Sequence, residues 1–447
     1  MSQEPSQLRE YLIYFAQIHE TFRKAELDSL SQLTGVEIQW KEYSDDSPFA
    51  IVHLPNNTSA KALVERSILT KGIYELWSTG PDYDHLHAAT KSQTRHLWPS
   101  CMSRSFKFEV ECYNGKRKQS VQREIIEGFA YLGLDGAIKM RDPDTTFTVL
   151  EEFPEKAATT PTRIFFGRRV GGGSRGLVEK YDLKKRHYIG TTSMDAELAL
   201  VTVNMALVAP GKIAFDPFVG TGSFVVSCAH FGGMCLGSDI DGRQIRGKQG
   251  RGVLSNFQQY GLVGSYLDGF VSDLTNTPIR RTAFIDAIVC DPPYGVREGL
   301  KVLGSRDPEK LKQPVIRDGV LRHLQDDYVP PKRPYSFLAM LDDILQFAAD
   351  HLVPGGRLCF WMPTANEDFS QLDIPTHPQL ELVSVCVQEF NKWSRRLITY
   401  TRTQNTTHPL PTREREGRND SKKATADELN SFRKKYFEGF RSGGAAV

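Results

Sequence analysis

From about residue 194 onward, short apolar runs alternate with helical patterns, and an acidic residue closes one run after another. Runs at 212–215, 234–238, 266–271, 284–290 and 357–361 are interleaved with helical stretches at 195–207, 224–230, 243–260 and 336–352. Strands joined through a helix must lie parallel, because only a crossover connection brings the chain back in the same direction. Parallel sheets need both faces covered. The expected fold class is therefore α/β, a doubly wound sheet with helices on both faces. Helix 336–352 should stop at Pro354-Gly355-Gly356, a C-terminal breaker signal. The last two runs, 380–387 and 397–401, are joined by a short polar link, so the last pair should be antiparallel. Strand 266–271 should fall at the sheet edge. Ligands of such sheets bind in the crevice beyond the C-terminal strand ends, and the candidate chemistry falls there.

The most specific group is Cys290-Asp291-Pro292-Pro293-Tyr294, which ends the run 284–290. Asp291 can accept a hydrogen bond from an exocyclic amine. Pro292 biases its predecessor to extended geometry, and both prolines fix φ, so a backbone carbonyl can be aimed at the same amine. Tyr294 supplies a flat face for a planar ring. By itself the tetrad could be a strand-to-turn stop. Roughly seventy residues earlier, however, lies Ile213-Ala214-Phe215-Asp216-Pro217-Phe218-Val219-Gly220-Thr221-Gly222-Ser223, a separation that repeated βα units allow.

In that loop Gly220 and Gly222 let the backbone approach a ligand and begin a helix whose N–H groups favour a carboxylate. The spacing is not a dinucleotide fingerprint, and no Gly-Lys-Ser/Thr follows. Asp216 ends the first strand, where it can attract an ammonium. Asp239, in Gly237-Ser238-Asp239-Ile240-Asp241, ends the second and can accept both ribose hydroxyls. Asp273, in Val271-Ser272-Asp273-Leu274, follows the third and can accept an adenine amine. For each acid alone a helix N-cap is an equal alternative; three at successive strand ends are harder to dismiss. Together the motifs read as transfer of a methyl group from S-adenosylmethionine to an amino group of a base. The expected cofactor contacts are Asp216, Phe218, Gly220, Gly222, Ser223, Asp239, Ile240, Asp273 and Leu274. The expected catalytic residues are Asp291, Pro292, Pro293 and Tyr294.

The first third reads as strand 11–15, helix 22–33, strand 50–54, helix 59–68 and a strand near 72–77. An alternating strand, 106–112, then runs into a turn at Asn114-Gly115 and an amphipathic helix, 119–134. No glycine loop or acidic cluster marks these strand ends, so this is a small α/β module that binds rather than reacts. Residues 163–190 are strongly basic around Gly171-Gly172-Gly173-Ser174. A solvated loop is the bland reading; contact with the phosphates of a polyanion is the functional one, with Arg163, Arg168, Arg169, Arg175, Lys184, Lys185 and Arg186 as candidates. After a polar linker, Thr425-Ala426-Asp427-Glu428 matches a capping box, and Leu429, Phe432, Tyr436 and Phe440 recur at helical spacing. A short C-terminal helix should dock on the chain or on a partner. The expected divisions are 1–160, a basic linker 161–193, 194–403, and a linker and helix at 404–447.

A length of 447 residues suits two or three domains, and 40% apolar with 25% charged residues suits a soluble protein with a sizeable core. No run approaches the roughly eighteen apolar residues of a membrane span, and the polar N-terminus lacks the blocks of a signal peptide. The seven cysteines are scattered without a Cys-x-x-Cys pair, which fits a reducing, cytoplasmic setting and argues against an intrinsic zinc or other metal site. The net charge of +2 is uninformative, because local patches decide nucleic-acid binding.

On these residues the chain resembles the amino-methyltransferases of nucleic acids, and among them the eukaryotic tRNA guanosine-10 N2-methyltransferase family. The likeness covers nearly the whole chain. It is carried by Arg66-Ser67-Ile68-Leu69-Thr70-Lys71-Gly72-Ile73-Tyr74-Glu75-Leu76-Trp77, by the loop from Phe215 to Ser223, and by Asp291-Pro292-Pro293-Tyr294-Gly295-Val296-Arg297-Glu298. The resemblance implies an N-terminal THUMP domain with a ferredoxin-like companion that grips tRNA, and a Rossmann-like methyltransferase domain. It implies methylation of the exocyclic N2 amine of a tRNA guanosine, with position 10 expected. It also implies a heterodimer with a small zinc-binding activator subunit. Two other readings stand beside it: a DNA adenine-N6 methyltransferase, whose amine the tetrad serves equally well, and a catalytically silent tRNA-binding scaffold.

Overall fold

The computed structural model describes residues 8–296, 299–305, 314–325, 328–366, 374–403 and 425–438. Phe440 and the linker 404–423 lie outside them. The chain divides into two compact units, Met1–Arg175 and Gly176–Val447.

The first unit is built on one seven-stranded sheet. Its strands are β1 (Arg9–Phe15), β2 (Gln39–Glu42), β3 (Phe49–Leu54), β4 (Thr70–Gly80), β5 (Phe106–Tyr113), β6 (Thr145–Glu152) and β7 (Arg163–Gly171), in the order β2-β3-β1-β4-β7-β6-β5. Alternation of side chains along a strand explains how both faces of β1 are buried. Tyr11, Ile13 and Phe15 pack on α1 (Glu20–Thr34) and α2 (Asn57–Val64) through Leu27, Leu30 and Leu63. Leu12 and Tyr14 meet Ile51, Tyr74 and Phe165 in a separate cluster. Helices α3 (Tyr83–Gln93) and α4 (Gln119–Glu127) flank a third cluster of Trp77, Leu86, Phe129, Phe147 and Phe166.

Beyond β5 the chain turns at Asn114, at φ +56°, and β5 pairs with β6 in parallel. Two expectations are corrected here. The amphipathic pattern to residue 134 is not one helix: α4 stops before Gly128, and a short 3-10 turn ends at Gly133 with φ +65°. Most importantly, the linker expected at 161–193 is not a linker at its start. Arg163–Gly171 is β7, held between β4 and β6. Ile164, Phe165 and Phe166 are wholly buried, and an apolar triplet of that size outweighs the charges flanking it.

The second unit carries the doubly wound sheet. Its strands are β8 (Ile213–Asp216), β9 (Met234–Asp239), β10 (Tyr266–Val271), β11 (Ile285–Cys290), β12 (Leu352–Ala365), β13 (Leu380–Glu389) and β14 (Trp393–Arg402), in the order β10-β9-β8-β11-β12-β14-β13. The first five run parallel, and the last pair is antiparallel, as expected. Strand β10 lies at the edge among the described residues. Helix α5 (Ala196–Met205) begins at Asp195, whose side chain accepts from the Leu198 N–H. The next helix, α6 (Ser223–His230), follows the glycine loop.

The helix expected at 243–260 is instead two, α7 (Gly242–Arg246) and α8 (Val253–Tyr260). Gly247, Gln249 and Gly250 between them all have positive φ, and a Cβ at Gly247 would fall 1.7 Å from the Arg251 carbonyl oxygen. Glycines at that density make a continuous helix unfavourable. Helix α9 (Phe337–His351) packs Ile344, Leu345 and Ala348 against Ile288, Leu358 and Phe360. Strand β12 takes over directly at Leu352 and runs through Pro354-Gly355-Gly356. The last helix is α10 (Ser431–Glu438).

Candidate active site

Neighbouring parallel strands deliver the acids side by side. Asp216 ends β8, Asp239 ends β9, Asp291 follows β11, and Asp273 lies two residues beyond β10. With adjacent strands about 4.8 Å apart, the row from β10 to β11 spans about 14 Å. Asp216 is 1% exposed, and its Oδ1 accepts from the Phe218 N–H at 2.9 Å. Burial pushes its carboxyl well above the usual range; the Phe218 hydrogen bond opposes this, while the Asp239 and Asp291 charges reinforce it. The Asp216 carboxyl thus lies close enough to Asp239 and Asp291 to feel both charges.

The glycine loop is tied to the second strand end. Asp239 Oδ2 accepts from the Gly220 N–H at 3.0 Å and its Oδ1 from the Asp241 N–H at 2.8 Å, and burial raises its pKa. Gly220 and Gly222 have φ +48° and +87°, values that favour glycine. A Cβ at Gly220 would meet nothing nearer than the Phe218 carbonyl oxygen at 3.8 Å, so the space beside it is open. Phe218 and Leu274 are partly buried against the core, and Ile240 is partly exposed beside Asp239. An open glycine cradle, buried acids and a helix N-terminus fit a cofactor bearing an ammonium, a carboxylate and a ribose.

Two of the expected cofactor contacts have other partners. The Ser223 hydroxyl accepts from Arg186 Nη1 at 3.0 Å. Asp273 Oδ1 accepts from the Thr275 and Asn276 N–H groups, each at 2.8 Å, and its Oδ2 from the Leu303 N–H at 2.7 Å. It caps a turn, the alternative that short acidic side chains always offer.

Beyond β11, Tyr294 is turned inward. Its hydroxyl donates to Asp291 Oδ1 at 2.6 Å. Burial pushes the Asp291 carboxyl up to about 6, against the Tyr294 hydrogen bond and the Arg395 charge. Burial also pushes the Tyr294 hydroxyl up, and the Asp291 charge adds to it. Pro292 is buried and Pro293 exposed. The Cys290 thiol is wholly buried and pushed up by that burial, which makes it a core residue rather than a nucleophile.

Sequence reasoning missed the aromatic floor of this end. The Trp393 ring meets Tyr294 edge-on at 6.3 Å and stacks on Phe390 at 4.4 Å, and Arg395 lies over the Trp361 ring at 4.9 Å. The clue was the pair of aromatics flanking the link between the last two strands. A second unforeseen feature is a cavity of about 430 Å³ lined by Tyr188, Asp241, Arg243, Gln244, Lys248 and Arg251.

The seven basic candidates divide. Arg186 is corrected: it is 5% exposed and bound to Ser223. Arg168 pairs with buried Glu75 at 2.9 Å, Arg163 with Glu42 at 2.8 Å, and Arg175 donates to the Ile68 carbonyl at 2.8 Å. Arg169, Lys184 and Lys185 are exposed, Lys185 beside Glu179 at 3.0 Å.

Comparison with known proteins places a family match on each of the two units. Residues 9–175 match the family model described as the Tmrp11 THUMP N-terminal domain, and residues 184–305 match the RMKL-like methyltransferase domain. The chain is 46% identical to the tRNA (guanine(10)-N(2))-methyltransferase of Saccharomyces cerevisiae over 97% of its own length and 100% of the relative's. It is 39% identical to the enzyme of the same name from Schizosaccharomyces pombe, covering 88% and 89%. With the human tRNA (guanine(10)-N(2))-methyltransferase TRMT11 it shares 35% identity over 97% and 96%. Similarity at this level over nearly the whole chain shows that it belongs to the tRNA (guanine(10)-N(2))-methyltransferase family.

Proposed function

We infer that this chain methylates the exocyclic N2 amine of a guanosine in tRNA, at position 10, with S-adenosylmethionine as donor. One observation carries the reading: Asp291 follows β11, next to the strand ends of β8 and β9 that bear Asp216 and Asp239, and its charge is felt at Asp216. The relatives named above bear that activity in their names.

When bound, the cofactor supplies an electrophilic methyl group. Guanine N2 is a weak nucleophile because its lone pair is delocalised into the ring. Asp291 and the Pro292 carbonyl accept its two hydrogens and favour the geometry in which that lone pair faces the methyl group. For this the Tyr294 hydroxyl must release Asp291 Oδ1, and the freed ring can stack on the flipped base. Burial holds the Asp291 pKa up at about 6 with the Tyr294 bond in place, and release of that bond raises its basicity further toward sharing the proton of the acidifying amine. Orientation and proximity supply much of the rate.

The N-terminal unit, as a THUMP region with a ferredoxin-like part, holds the tRNA. Arg169, Lys184 and Lys185 are the candidates for phosphate contact, with Lys248 and Arg251 as additions from the cavity. A small zinc-binding activator would cover the edge strand β10, where Leu267 and Val271 are 45% and 42% exposed; an uncovered edge invites strand addition. Phe270 is not part of that surface, since its ring stacks toward Phe215 at 6.2 Å. No described helix is long and apolar enough to cross a membrane; a cytoplasmic site of action is part of the proposal.

The test is to supply the chain, with and without the activator, with unmodified tRNA and cofactor, then map the product by mass spectrometry. N2-methylguanosine at position 10 supports the reading. Methylation of adenine in duplex DNA, or cofactor binding with no transfer to tRNA, refutes it.

A further inference from the structure

We propose that the C-terminal segment belongs to the base-binding apparatus: Asn430 and Arg433 are positioning residues that hold the backbone of the Asp291–Tyr294 loop. The inference rests on the reading of that loop as the site where the base is received.

The segment starts with the expected capping box. The Thr425 N–H donates to Glu428 Oε2 at 2.7 Å, and the Glu428 N–H to Thr425 Oγ1 at 3.3 Å. The box closes one turn, and α10 begins after it, capped by Asn430, whose Oδ1 accepts from the Arg433 N–H at 3.0 Å. Docking follows: Phe432 is 6% exposed and lies 5.9 Å from Trp393, and Tyr436 lies 6.3 Å from the same ring. The Phe337 N–H donates to the Leu429 carbonyl at 2.9 Å. Apolar packing of this kind would anchor any terminal helix.

The polar contacts are more selective. Asn430, 2% exposed, donates through Nδ2 to the Tyr294 carbonyl at 2.9 Å. Arg433 Nη1 donates to the Gly295 carbonyl and, at 2.7 Å, to the Val296 carbonyl, while its Nε is fixed by Asp427 at 2.7 Å. Two side chains thus take three consecutive carbonyls, the tetrad's last and the two that follow it. The loop has left the β11 ladder at Cys290, so these carbonyls need partners other than a neighbouring strand. Gly295 has φ +73°, and a Cβ there would come within 2.6 Å of Asn430 Nδ2; glycine and asparagine are fitted to each other.

The consequence is mechanical. Strand β11 fixes one end of the loop, and Asn430 with Arg433 fixes the other, so the Asp291 carboxylate and Pro292 carbonyl cannot drift. Asn430 and Arg433 take only main-chain carbonyls, so the clamp leaves the Tyr294 side chain to its own contacts with Asp291 and Trp393. The matched methyltransferase domain ends at residue 305, so this clamp lies outside it.

The test uses the full-length chain, with activator if activity requires it. Single-turnover methylation of tRNA, cofactor affinity by calorimetry and thermal melting are measured for Arg433→Ala, Asn430→Ala, Arg433→Lys and, as a control on the exposed side of the helix, Lys434→Ala. Misplacement by about 1 Å costs about a hundredfold in rate. Arg433→Ala and Asn430→Ala should therefore slow transfer by about ten- to a hundredfold with cofactor affinity kept within about twofold. Guanidinium added to Arg433→Ala should restore part of the rate, and Lys434→Ala should match the parent. Unaltered transfer in both alanine variants overturns the proposal. So does a loss that runs in parallel with cofactor affinity and melting temperature, which would mark a purely structural helix. Asp291→Ala in the same assay separates the two levels. If it is inactive while the tail variants are active, only the clamp fails; if it too is active, the reading of the loop fails.

Discussion

Replacing Asp291 with asparagine should make the protein more stable and nearly inactive, because one carboxylate sets both properties. Burial lifts its pKa from 3.8 to about 6. At 1.36 kcal/mol per unit, the ionised form costs the fold on the order of 3 kcal/mol. Asparagine keeps the shape and the Oδ1 that accepts from Tyr294, but carries no charge. Below about pH 4 the carboxyl is protonated in both folded and unfolded chains, so nothing is gained. Between about pH 4 and 6 the unfolded chain releases its proton first, so the parent loses stability as pH rises; above about 6 the full penalty persists. The variant should therefore melt several degrees higher at pH 8, at about 2–4 °C per kcal/mol, with the difference shrinking toward pH 4. Transfer to tRNA should fall by about a hundredfold or more, and the parent should show an acid limb near pH 6 in kcat/KM. Melting curves from pH 4.5 to 8, with turnover at each pH, check all of this. A stability difference independent of pH would refute the assigned ionisation, and near-normal turnover would refute the role in catalysis.

Asp239→Ala should weaken cofactor binding by about tenfold or more, since the carboxylate both faces the crevice and ties down Gly220; unchanged affinity by calorimetry moves the ribose contact elsewhere. Arg186→Gln should lower stability by about 2 kcal/mol and leave the salt dependence of tRNA affinity alone. Lys184→Ala with Lys185→Ala should instead reduce that slope by roughly one to two, and the reverse pattern would overturn the division drawn between them. Leu267→Asp should separate the chain from its activator in size-exclusion chromatography. A lone parent chain that is monodisperse and fully active would show that no activator is required.

Local pattern carried most of the second unit. The βα alternation, the edge position of β10, the antiparallel last pair and the acids at strand ends follow from periodicities of side-chain placement that short stretches contain. The candidate chemistry at Asp291-Pro292-Pro293-Tyr294 was legible for the same reason, because the four residues proposed for it are adjacent. What local pattern misjudged was burial. A basic run reads as a linker until Ile164-Phe165-Phe166 is placed in the middle of a sheet, and Arg186 reads as a surface cation until it meets Ser223. Asp273 could be read as a ligand contact or a helix N-cap, and the structure adds local turn bonds from Thr275 and Asn276 and a distant one from Leu303.

Contacts across long sequence separations lay beyond the sequence altogether. Trp393 under Tyr294, and Asn430 and Arg433 on the carbonyls of residues 294–296, join segments about a hundred residues or more apart. Spacing encodes which face a residue takes within its own element. Which elements then meet is set by packing of the whole sheet and its covering helices. The sequence by itself determined the reaction class and the strand ends that bear it; tertiary structure decided which distant side chains hold that chemistry in place, because no local rule links residues whose proximity arises only when the core closes.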